Sequence, residues 1–86
     1  MNTYYEIQYN TKEDLNAWFP SSLLAKNEFS SYAEACSTAR ELVYKEKKKI
    51  VKRGGGSILE YRVVEYKSVY MEEPVKTFPI TQSLFV

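Results

Sequence analysis

The sequence predicts an α+β domain: a small, mostly antiparallel sheet of three to four strands with one long helix packed on one face, ordered β-β-α-β with a possible C-terminal edge strand. Three stretches carry that reading. "TYYEIQY" at 3–9 alternates apolar and polar residues, the pattern of a strand with one covered and one wet side. "SYAE" at 31–34 opens a helical periodicity that no proline or glycine interrupts before Gly54. "SILEYRVVEYKSVY" at 57–70 is rich in β-branched and aromatic residues, which fit a pleated, half-buried surface. The 86 residues form a single α+β domain, 1–86, near the size at which one core is only just sufficient.

In the first strand Tyr5, Ile7 and Tyr9 share one face, and Glu6 and Gln8 the other. Residues 10–28 are polar with the apolar anchors Leu15, Trp18, Phe19, Leu23 and Leu24. They read as a loop holding one short strand near 16–19 or 23–25, since Pro20 argues against a long central strand. Ser31 and Glu34 make a capping box, hydroxyl to amide and carboxylate back to amide. From there Tyr32, Cys36, Ala39, Val43 and Ile50 fall within one arc of the helix, with Ala35 and Leu42 beside them. The helix runs from about 32 to about 52, roughly 30 Å. Glu46 points into the apolar arc, and a dry carboxylate is costly, so the helix is expected to leave the sheet there. Glycines 54–56 supply its C-terminal cap. In the following strand Leu59, Tyr61 and Val63 are expected to face the helix, and Glu60 and Arg62 to point outward. Val64 and Tyr66 fall on the outward side, which is therefore not uniformly polar. Beyond "EEP" an edge strand is expected at 75–78, and the terminal "SLFV" is read as packing.

Composition narrows the function classes. Apolar residues make up 44% and charged residues 27% of the chain, as in ordinary soluble domains. No run approaches the roughly 18 apolar residues of a membrane span. "MNTYYEIQYN" has neither the basic nor the apolar region of a signal peptide, and a single cysteine fits a reducing compartment. A cytoplasmic protein with no membrane partner is expected. The net charge of +1 hides a division: residues 40–53 hold seven basic and two acidic residues, +5, and the rest of the chain is −4. Such a dipolar molecule has a positive pole for an anionic partner. Equally, basic residues in the last turns of a helix complement its dipole.

Catalytic motifs are missing. The chain has no histidine, which removes the commonest general base and most zinc sites. Cys36, on the apolar helical face, reads as a small core residue. Glu60, Glu65, Glu72 and Glu73 lie along exposed strand without the spacing of an acid/base pair. In "KRGGGS" the glycines follow the lysine and end a helix, the reverse of a phosphate-binding loop. No enzyme activity, cofactor or metal is expected.

Eight tyrosines and one tryptophan in 86 residues exceed what so small a core requires, and interfaces are enriched in Tyr, Trp and Arg. One functional reading makes the wet face of the sheet, with Tyr4, Arg62, Tyr66 and Tyr70, a protein-binding surface. The other makes the basic helix end, Lys45, Lys47, Lys48, Lys49, Lys52 and Arg53, a nucleic-acid site. The sequence pI of about 7.8 lies below the value of about 9 usual for nucleic-acid-binding domains, so weak or no binding to free DNA or RNA is expected. The partner is then a protein or nucleoprotein complex, and unpaired edge strands make a homodimer possible.

The strand "YYEIQY", the lone Trp18, "FSSYAEACSTAREL" opening the helix, and "EYRVVEY" follow one another over residues 4–66. This order resembles small accessory proteins of bacteriophages and mobile elements, among which anti-CRISPR and other anti-defence proteins are found. The likeness is one of pattern and carries over no site residue. It implies a non-enzymatic protein that binds a host macromolecule and blocks it in the host cytoplasm.

Overall fold

The elements follow in the order β1 (Tyr4–Thr11), β2 (Phe19–Pro20), α1 (Tyr32–Arg53), β3 (Ile58–Lys67) and β4 (Met71–Pro79). In this computed structural model the described residues are 3–11, 16–21, 27–53, 58–67 and 71–80, except the side chains at 50–53 and 71. The expectations for Leu15, residues 23–25, the glycines at 54–56, Tyr70 and the terminal "SLFV" lie outside them, as does the side chain of Ile50. The sheet order is β2-β1-β3-β4, with every neighbouring pair antiparallel, and the helix packs on one face. This is the α+β arrangement the periodicities predict.

β1 and β3 pair along their length, with Ile7 opposite Val63 and Tyr9 opposite Tyr61. These four side chains project to one side, where Phe29, Ala35, Cys36, Ala39, Leu42 and Ile80 complete a buried core. The small residues Ala35, Cys36 and Ala39 are all buried, so the helix approaches the sheet closely at its early turns. At the helix start the Glu34 amide donates to Ser31 Oγ at 3.4 Å, and the Ala35 amide to the Ser31 carbonyl at 3.1 Å.

Five expectations need correction. Tyr32 is 40% exposed; it sits in the first turn, at the margin of the sheet, with its ring tilted against Tyr5 at 5.8 Å. Ile58, where Leu59 was expected, packs against the core, because the register shifts so that Asn10 faces Glu60 and Thr11 faces Ile58. Glu46 is half-buried and its charge acts on Tyr61, so the helix is still over the sheet at that turn. The strand signal read over 57–70 ends at Lys67, and the edge strand expected at 75–78 begins earlier, at Met71, paired to Lys67; with no glycine, proline, asparagine or aspartate among residues 68–70, periodicity alone extends the first strand too far. Finally, the outward side of β1 is not wet, since Gln8 and Asn10 are buried.

The two margins of the sheet differ. Along β1, Tyr5 and Phe29 exchange backbone hydrogen bonds of 2.8 and 2.9 Å, and the Ser21 amide donates to the Ile7 carbonyl at 3.0 Å. The Asn27 amide group imitates a strand: Oδ1 accepts from the Ile7 amide and Nδ2 donates to the Ile7 carbonyl, both at 3.0 Å. β4 forms the other margin and carries exposed Glu72, Glu73, Pro74 and Lys76, residues that discourage pairing with a stray strand.

Tyr61 is fully buried and its hydroxyl has no hydrogen-bond partner among the described residues. Burial pushes its pKa from 10.0 up to about 12, helped by the charges of Glu46 and Tyr9. The folded state thus favours the neutral phenol, a contribution that is complete below pH 10 and is lost as pH rises from 10 to about 12. An unpaired buried hydroxyl itself costs stability. Tyr61→Phe should therefore leave unfolding free energy at neutral pH unchanged or raise it by up to about 1 kcal/mol, and should flatten the loss above pH 10. Urea titrations across that range test this; a neutral-pH loss above about 1 kcal/mol would mean that the hydroxyl is bonded.

Candidate functional site

Because side chains alternate along a strand, the face of the sheet away from the helix collects the other half of each register. Tyr4, Tyr66 and Glu72 form one row across β1, β3 and β4; Glu6, Val64 and Pro74 the next; then Gln8, Arg62 and Thr77; then Asn10, Glu60 and Pro79. Val64 is buried among these polar side chains, so a low-dielectric floor lies beneath them. Hydrogen bonds over such a floor are stronger than in water, and leaving one unmade is correspondingly costly.

Gln8 is the hub. Its Nε2 donates to Glu6 Oε1 at 2.9 Å and to the Tyr66 hydroxyl at 2.8 Å. Its Oε1 accepts from Arg62 Nε at 2.9 Å and Nη2 at 2.7 Å. Two donors and two acceptor sites are all a primary amide has, so Gln8, 5% exposed, is fully satisfied. Arg62 continues outward through Nη2 to the Glu72 carboxylate and lies under the Trp18 ring, 4.4 Å from its centroid. Tyr66 donates to Glu6 Oε1 at 3.3 Å and stacks on Tyr4, with centroids 5.0 Å apart and planes 12° from parallel. Burial, then the charges of Glu6 and Glu72, push the Tyr66 phenol up from 10.0 to about 12, so it stays a donor beyond the pH at which a free tyrosine ionises.

The structure therefore brings Tyr4, Arg62 and Tyr66 into one cluster, while Tyr70 lies outside the described residues. Arg62 occupies a different position from the one expected of a contact residue. Its side chain is 13% exposed, and its guanidinium holds the face together from within. Sequence reasoning missed Gln8 as the hub and treated Trp18 as a loop anchor. The available signal was the register: Gln8 falls opposite Arg62 once Ile7 is set opposite Val63.

The basic residues are elsewhere. Lys45, Lys48 and Lys49 are exposed and Lys47 is half-buried on α1, which covers the opposite side of the sheet. The Lys48 ammonium lies 4.5 Å from the centroid of Tyr44, a ring 60% exposed. Lys52 and Arg53 belong to the helix, and their side chains are outside the described set. Among the described residues no group of three metal-ligating side chains comes together, and no helix is long and apolar enough to cross a membrane. In comparisons with known proteins, no family model, curated protein or solved structure matches the chain.

Replacing Gln8 with alanine strands the inner side of the Arg62 guanidinium and takes one donor each from the Glu6 carboxylate and the Tyr66 hydroxyl oxygen. A loss of about 2–3 kcal/mol of unfolding free energy is expected, against less than about 1 kcal/mol for Glu72→Gln at the exposed end of the chain of contacts. Chemical denaturation of the two variants checks this order. Equal losses would show that Gln8 is not the hub.

Proposed function

We propose that this chain is a non-enzymatic binding protein and that the outer face of the sheet is its contact surface for a protein partner. One observation carries the reading: Tyr4, Tyr66, Trp18 and Arg62 are fixed in place by stacking and by the hydrogen bonds centred on Gln8 before any partner arrives. Rigid aromatic groups lose little entropy on binding, and preorganisation of this kind is what turns buried area into affinity. The likeness to phage and mobile-element accessory proteins makes the partner a host protein or nucleoprotein complex in the cytoplasm and makes the effect inhibitory, as in anti-defence proteins. The basic pole on α1 faces the other way; it contributes long-range steering toward an acidic region of that partner, with weak or no affinity for free nucleic acid.

The test is affinity capture from a host lysate with the full chain, with and without nuclease. Tyr4→Ala and Trp18→Ala should each weaken capture by about tenfold or more, the scale of an interface hot spot. Tyr44→Ala, on the helix, should leave it intact, and nuclease should have no effect. Capture lost with nuclease or with Tyr44→Ala, yet kept by both sheet variants, would make the basic helix and nucleic acid the site.

A further inference from the structure

The outer face carries three carboxylates, Glu6, Glu60 and Glu72, against one guanidinium, Arg62. Arg62 is only a partial counterweight toward an incoming group, because its Nε and Nη2 are already engaged by Gln8 and Glu72. The bonds made to the three carboxylates within the face all end on Oε1. A separate observation points the same way. Asn10, 3% exposed, donates from Nδ2 to Glu60 at 3.3 Å, while its Oδ1 is buried and accepts nothing from the described residues. Buried acceptors of this kind are rare in folded proteins and each requires an explanation. The face thus holds acceptors in excess of donors.

It also shows how it holds a planar cation. Arg62 lies against the Trp18 ring with a carboxylate on one side and an amide oxygen on the other. From these observations we infer that the outer face receives a basic segment of the protein partner, and that this segment presents arginine to Glu60 and Glu72. This rests on the binding reading above and adds the chemistry of the partner. Arginine fits better than lysine because its planar fork meets a carboxylate with two parallel N–H bonds and stacks on an aromatic ring. A polyanion would meet the carboxylates first.

The experiment titrates oligo-arginine, oligo-glutamate and single-stranded DNA into the full chain. Binding is read from the fluorescence of Trp18, the one tryptophan, and from backbone amide shifts. Oligo-arginine should perturb Trp18 and the amides of β1 and β3. Glu60→Gln with Glu72→Gln should weaken it about fivefold. Glu28→Gln with Glu73→Gln, which removes the same charge elsewhere, should change it by less than about twofold. The amide spectrum reports folding, and Glu72→Gln alone, on the exposed margin, replaces the double variant if that one unfolds. Oligo-glutamate or DNA shifting these amides, no response to oligo-arginine, or equal weakening by both pairs would overturn the inference. A partner captured through Tyr4 and Trp18 but indifferent to Glu60→Gln and Glu72→Gln would overturn it too, and would leave the binding reading standing.

Discussion

The pairing of Ile7 with Val63 fixes everything else in this domain. A slip of one residue would turn every side chain of β1 to the opposite face. Ile7 would leave the helix, and Gln8 would enter the apolar core with four hydrogen-bonding positions and no partners. The register is thus held from both sides: hydrophobic burial under α1 and the Gln8–Arg62–Tyr66 network on the other face. Either would favour this alignment alone. Together they leave it little competition, which matters in a chain too short for a large core.

That double constraint separates the molecule into two working sides. The helix side is apolar within and basic without, ending in lysines around Tyr44. The sheet side is aromatic and acidic, and its one arginine is neutralised internally. Under the proposed function the sheet side makes the contact and the helix side steers the approach. Surface lysines on a solvated helix change encounter rates more than they change affinity, whereas stacked rings over a buried floor are the kind of group that anchors an interface.

Much of the architecture was legible from periodicity. The alternation in 3–9 and the capped, uninterrupted run from Ser31 placed β1 and α1 to within about two residues, and Pro20 kept β2 short and at the margin. What failed to show were features that depend on two strands meeting. Residues 68–70 hold no glycine, proline, asparagine or aspartate, so the β3 signal runs on to 70 and β4 reads only from 75. Gln8 looked like any solvated residue of an alternating strand until Arg62 stood opposite it. Ile58 took the place of Leu59 because of a register shift, which only a partner strand reveals. Of the candidate site, the tyrosines and Arg62 were visible from composition and parity; the role of Arg62 as an internal tie was not.

Hydroxyl-radical footprinting of the chain, free and bound to its captured partner, tests the central claim most directly, because it reads the solvent access of individual aromatic side chains. The account predicts that Tyr4 and Trp18 lose reactivity on binding while Tyr44 keeps its own. Protection of Tyr44 with Tyr4 and Trp18 unchanged would contradict it, and would move the binding surface to the helix.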